Sequence, residues 1–275
     1  MLGCDGFFYY PNRVRYGSPR ELNLAYEDVT FAAPGGAKLH GWFFPAQREG
    51  TPQPSQARGT VLHLHGNAGN ITGHFQHVAW LPAAGWNVLA FDYRGYGRSE
   101  GTVTRAGTVQ DATAALDFLL RHEAVDPTRI VVFGQSLGGA LGIVLAAERT
   151  EVAGLAVDGA FDNYRRIASW HIRRNPLLLC VGWWVPRLLM SDTYNPIDYV
   201  GRIAPRPLLI MHGTADAVVP FSMGERLYAA AGEPKEFWRV EGADHYGAMQ
   251  DHADEAHKRL LTFFERAVSR TAVQR

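Results

Sequence analysis

The sequence predicts an α/β fold built on a mostly parallel sheet with helices on both faces. Three observations predict it. Five short apolar runs, "TVLHLHG", "NVLAFDY", "IVVFGQS", "GLAVDGA" and "PLLIMHG", are rich in β-branched residues, and each leads into a glycine-containing turn. Strands that are apolar along their length, rather than alternating, belong to a sheet covered on both sides. Helical stretches such as "TVQDATAALDFLLRHEA" (108–124) separate most of these runs, which is the rhythm of a parallel sheet. Finally, the chemistry gathers at the strand ends: His65, Asp92, Ser136, Asp158, His212 and Asp216. In open parallel sheets the ligand site lies beyond the carboxyl ends of the strands.

Taken in order, residues 25–46 read as a hairpin of two strands around the turn Pro34-Gly35-Gly36. Residues 48–59, polar and with two prolines, read as a surface loop. The strand and helix alternation follows, until "DNYRRIASWHIRRNPLLLCVGWWVPRLLMSDTYNPIDY" (162–199) breaks it; this insertion is expected to form a short helical cap. Residues 1–275 are expected to form one domain, a size at which a single large α/β core is routine.

Composition excludes several functions. Lys plus Arg equals Asp plus Glu at 27 each, so no global field draws the chain to nucleic acid or an acidic membrane, and a small-molecule partner is expected. Cys4 and Cys180 are too few for a disulfide framework and lack the spacing of a metal knuckle. His63 and His65 share a strand face, but no acidic third ligand is near them in sequence, so no metal is expected. The run 176–190 is interrupted by Pro186 and Arg187 and is too short to span a bilayer. Leu2-Gly3-Cys4 resembles the end of a bacterial lipoprotein cleavage site. As the chain stands the expectation is a cytoplasmic protein; with an upstream signal, Cys4 becomes a lipidated membrane anchor.

The stretch "VVFGQSLGGALG" (131–142) sets Ser136 at a strand tip among Gly134, Gly138 and Gly139. A sharp strand-to-helix turn that projects a serine strains its backbone, and side chains two residues to either side would collide, hence glycine at both. The alternative is an ordinary helix N-cap serine. A serine nucleophile needs a base, and the base an acid, expected in the order Ser, Asp, His. Asp216 in "HGTADAVVP" and His245 in "GADHYG" satisfy that order, both in loops past strand-like runs. Asp158 is the alternative acid, and Asp244 is too close in sequence to His245 to face it. Oxyanion donors are expected from the backbone N–H of Leu137, directly after the serine, and of Asn67 in "HLHGNAGN".

These motifs, with "FDYRGYGRSEG", identify a resemblance to the alpha/beta-hydrolase superfamily, in the branch of small serine hydrolases that includes serine-aminopeptidase-like proteins and depalmitoylating hydrolases. The resemblance runs from "YEDVTF" to "GADHYG". It implies an alpha/beta-hydrolase fold, Ser136, Asp216 and His245 as the triad, Asn67 and Leu137 as oxyanion donors, a structural role for Asp92, Arg94 and Ser99, and no cofactor. Trp170, Trp183 and Trp184 in the cap are candidates either to line an acyl or alcohol pocket or to glue the cap to the body. Residues 163–191 contain no Asp or Glu to hold a free amine. The expected activity is therefore carboxylic ester cleavage through an acyl-enzyme, with an acyl-protein thioesterase or a serine peptidase as alternatives and a non-catalytic binding module as the remote one.

Overall fold

Glu27–Ala32 (β1) and Lys38–Phe44 (β2) pair antiparallel as the expected hairpin, closed by a turn in which Gly35 and Gly36 take φ of 85° and 82°. A side chain is strained at that backbone, which is why the turn needs two glycines. In this computed structural model, which describes residues 8–179, 181–182 and 184–273, the hairpin is the edge of a larger sheet. The other strands are Thr60–Leu64 (β3), Asn87–Phe91 (β4), Ile130–Gln135 (β5), Val152–Asp158 (β6), Leu208–Gly213 (β7) and Lys235–Val240 (β8). Their order is β8-β7-β6-β5-β3-β4-β2-β1. β3 to β8 run parallel to one another, and β2 is antiparallel to both β1 and β4.

Every residue of β3 to β7 is buried, as their continuous apolar runs require. The principal helices are Arg105–Arg121 (α1), Leu137–Glu148 (α2), Tyr164–Arg173 (α3), Val185–Leu189 (α4), Phe221–Ala230 (α5) and Ala253–Val273 (α6). Alternate strand residues feed two cores. Leu62, Val132, Leu155 and Ile210 pack with Leu116 of α1 and Leu141 of α2 on one face. Val61, Val131, Leu209 and Met211 pack with Leu260, Phe263 and Phe264 of α6 on the other. α1 begins three residues before the expected 108 because the Thr104 side chain accepts from Gly107 N and caps it there.

The 48–59 loop is more ordered than expected: Gln47–Arg48 and Thr51–Pro52 form a small antiparallel bridge within it. In 162–199, α3 is capped by Asn163, a 3-10 turn spans Pro176–Leu178, and α4 follows. Arg165 ties the end of this segment back to its start through the Met190 carbonyl and Asp192. Among the described residues no helix is long and apolar enough to cross a membrane. Cys4 and Trp183 lie outside the described residues.

Since β3 lies between β4 and β5, successive connections leave it in opposite directions and a crevice opens at their carboxyl ends. Ser136 and Asn67 follow β5 and β3 directly into that crevice.

Candidate active site

Ser136 has φ 51° and ψ −112°, a conformation that side-chain-bearing residues rarely adopt. The glycines around it answer to contacts. A Cβ at Gly134 would lie 2.3 Å from the Gly138 carbonyl oxygen, and one at Gly138 would lie 1.9 Å from that of Leu64. The turn is held by the Ser136 N–H, which donates to the Asp158 carbonyl at 2.8 Å. α2 starts immediately after it, so the Leu137 N–H sits at the positive end of a twelve-residue helix. Among the described residues, neither that N–H nor the one of Asn67 has a hydrogen-bond acceptor.

Asp216 and His245 meet, although 29 residues separate them: His245 Nδ1–H donates to Asp216 Oδ2 at 2.7 Å. The other carboxylate oxygen accepts from the N–H groups of Val218 and Val219 at 2.8 and 2.7 Å. Burial pushes the Asp216 pKa up, but the hydrogen bonds from His212 and His245 outweigh it and hold this carboxyl below the usual range. His212 Nε2–H donates to the Val219 carbonyl at 2.9 Å and lies 3.3 Å from Asp216 Oδ2. Sequence reasoning placed His212 at a strand end and gave it no role; its signal was the i, i+4 spacing to Asp216.

Asp158 is different. It is buried at the end of β6 with Oδ2 unpartnered, and burial raises its pKa to about 7 against the lowering influence of His245 and His212. The folded carboxyl thus keeps its proton to about pH 7, whereas the unfolded chain releases it near 3.9. Stability from this group is therefore full below roughly pH 4 and is lost as pH rises towards 7. Asp158→Asn should melt at about the wild-type temperature at pH 4, and roughly 3 °C or more above it at pH 8. Thermal unfolding at the two pH values checks this; an equal difference at both removes the titration as its cause.

The remaining predicted residues fall as follows. Asp244 accepts from the Ala217 and His245 N–H groups and braces the loop. Asp92 accepts from Ile71 N, Ser99 bonds the Asp92 carbonyl, and Arg94 pairs with the buried Asp111. His63 bonds Gln135, and His65 donates to the Gly66 carbonyl. The Asn67 side chain donates to the Phe8 carbonyl and accepts from Tyr10 N and the Tyr96 hydroxyl, pinning the segment at residues 8–10 beside Ser136.

Tyr246 was missed. Its hydroxyl occupies the space a Cβ at Gly66 would fill, 2.2 Å away, and it lines the same cavity as Ser136. Its ring lies 4.5 Å from that of His245. Burial raises its pKa, so it is a neutral hydroxyl. His74 and His77 flank it, their pKa values lowered by burial, that of His77 to about 4. Ser136 and His245 face the same cavity without a hydrogen bond between them.

That cavity has a volume of about 750 Å³. Ser136, His245 and Tyr246 line it together with Ile167, Ile172 and Met190, and among the described residues no Asp, Glu, Lys or Arg does. Of the two expectations for the cap tryptophans, pocket lining does not hold: Trp170 and Trp184 are not in its wall, and Trp170 packs against the main core. α3 turns Ile167, Ala168, His171 and Ile172 to the cavity, while Trp170 falls on another side, under the Arg174 guanidinium at 4.5 Å. Trp184 is 40% exposed.

Comparison with known proteins agrees with this architecture. Over 266 residues the chain is 36% identical to the uncharacterized protein YfhR of Escherichia coli, covering 96% of this chain and 88% of that protein. It is 34% identical over 227 residues to the alpha/beta hydrolase domain-containing protein WAV2 of Arabidopsis thaliana, covering 78% and 69% of the two chains. Its fold superposes on the Pyrococcus furiosus esterase Pf2001 with a TM-score of 0.78 at 24% identity, over 94% of this chain and 97% of the esterase. Residues 74–271 match the prolyl oligopeptidase family. With that match over most of its length and a sheet of this order, the chain belongs to the prolyl oligopeptidase family, within the alpha/beta-hydrolase superfamily.

Proposed function

We propose that this protein is a serine hydrolase that cleaves uncharged carboxylic esters through an acyl-enzyme. The observation that carries the proposal is the 2.7 Å Asp216–His245 pair set on the same apolar cavity as a serine at positive φ. With Nδ1–H donating to Asp216, His245 presents Nε2 as the base. Ser136 turns to His245, its Oγ attacks the carbonyl carbon, and its proton passes to Nε2. The oxyanion forms against the Leu137 and Asn67 N–H groups. Collapse breaks the ester C–O bond, and the departing alkoxide takes the proton from His245. A water deprotonated by His245 then attacks the acyl carbon and releases the acid and Ser136. No step in this scheme needs a cofactor.

Asp216 suits the orienting role because it stays ionised beside the imidazolium, whereas Asp158 is neutral up to about pH 7. The uncharged cavity wall favours an apolar acyl group over a peptide with a free amine, which would need a carboxylate. Acyl thioesters meet the same groups, and belong in the same test.

That test is a p-nitrophenyl ester series. kcat/KM should rise up to roughly fourfold per added methylene until the cavity is filled, then break. Met190→Trp, which adds bulk to the wall, should move the break to a shorter acyl chain. A profile that is flat in both proteins sinks the acyl-cavity reading.

A further inference from the structure

We infer that the 162–199 segment docks on the surface of an anionic phospholipid bilayer, with the mouth of the cavity turned towards the lipid. The first observation is where apolar surface remains uncovered. Among the described residues eleven large apolar side chains are strongly exposed, and six of them fall within residues 177–189: Leu177, Leu178, Leu179, Trp184, Leu188 and Leu189. Leu177 is 88% exposed and Leu188 72%. Single exposed leucines are ordinary, but six such residues within one turn and one short helix form a patch that marks an interaction surface.

The second observation is charge. The chain balances 27 basic against 27 acidic residues, yet residues 163–191 hold Arg165, Arg166, Arg173, Arg174 and Arg187 and no Asp or Glu. Arg165 pairs with Asp192, and Arg166 with the buried Asp162. Arg173, Arg174 and Arg187 are exposed, and in sequence they bracket Leu177, Leu178, Leu179 and Trp184. Leucines that enter the headgroup region while neighbouring guanidinium groups stay with the phosphates are the means by which segments lie on anionic membranes.

The third observation is continuity with the cavity. Leu189 and Val218, 50% and 42% exposed, also line the cavity that contains Ser136. The surface that would meet lipid is thus the rim of the site, and an apolar chain could pass between them without crossing water. Other occupants fit less well. A nucleic acid would engage the arginines and leave Leu177 and Leu188 in water. A second copy across a twofold axis would cover the leucines but set two groups of arginines against each other.

The test uses the Ser136→Ala protein, so its outcome is independent of the hydrolase reading. Flotation with vesicles of equimolar phosphatidylglycerol and phosphatidylcholine should show binding at least roughly tenfold tighter than to phosphatidylcholine alone, and largely lost in about 0.5 M NaCl. In the same background Leu177→Ser/Leu188→Ser should weaken binding by roughly tenfold or more. Arg173→Gln/Arg187→Gln should weaken it by roughly fivefold per arginine. With Ser136 restored, both double variants should melt like wild type and hydrolyse a short soluble ester at the wild-type rate. No binding, equal binding to the two vesicle types, or undiminished binding by the leucine variant overturns the proposal. So does a dimer in sedimentation equilibrium that the leucine variant disperses, since the patch would then belong to a second copy.

Discussion

Ser136→Ala is expected to lower kcat on p-nitrophenyl esters by about a thousandfold or more, and to abolish labelling by a fluorophosphonate probe. The substitution removes the only atom of Ser136 that can attack a carbonyl while leaving the Cβ and the turn in place. Residual rate would come from the oxyanion donors and from binding, which in serine hydrolases survive loss of the nucleophile. The turn supplies a second readout. At φ 51° and ψ −112° alanine inherits the strain of Ser136, whereas glycine does not. Ser136→Gly should therefore be as inactive as Ser136→Ala but more stable by about 1 kcal/mol, net of the added freedom of the unfolded chain. Labelling of the alanine variant at the wild-type rate would show that another group is the nucleophile, whatever its stability.

The next largest effect is expected at Asp216. Asp216→Asn should cost roughly 10³–10⁴-fold in kcat with little change in KM, because an amide neither keeps the His245 proton on Nδ1 nor stabilises the imidazolium formed when Ser136 is deprotonated. It also loses the charge beside His212, 3.3 Å away, so a modest fall in melting temperature should accompany it. Asp158→Asn should change kcat less than about tenfold, because the carboxyl it replaces is already neutral up to about pH 7. Steady-state kinetics of the two variants at about pH 6, where Asp158 still holds its proton, decide the matter. A greater loss at Asp158 would transfer the orienting role to the end of β6.

These expectations draw unequally on what the sequence makes legible. Fully apolar runs in β3 to β7 identified a sheet buried on both faces, since that burial depends on composition along a single strand. The turn at Ser136 was equally plain. At Gly134 the collision avoided is with Gly138, four residues on, and such short-range sterics are written in consecutive letters; at Gly138 it is with the Leu64 carbonyl of β3, which only the fold brings there. Chain order also named Asp216 and His245 as partners, and in the folded chain they share a hydrogen bond.

Only the tertiary structure decided the rest. Asp158 and Asp216 both stand at the carboxyl edge of the sheet, and register places Asp158 opposite Met211 and against Ser136 N, with Asp216 carried forward to His245 by the loop after β7. Both carboxylates are buried, and what separates them is hydrogen bonding: Asp216 accepts from His245 and the Val218 and Val219 N–H groups, whereas Asp158 Oδ2 has no partner among the described residues. Trp170 was left open between pocket and packing because composition marks the 162–199 insertion as apolar without saying which side of α3 faces the cavity. Tyr246 was invisible for a related reason: its hydroxyl fills the space left at Gly66, a residue 180 positions away, and so joins Ser136 in the cavity wall. By itself the sequence determined what local sterics and strand burial demand. The packing of distant segments decided which carboxylate is charged, which aromatic joins the serine and which side chains line the cavity, because burial and contact are properties of neighbours that the chain brings together only when it folds.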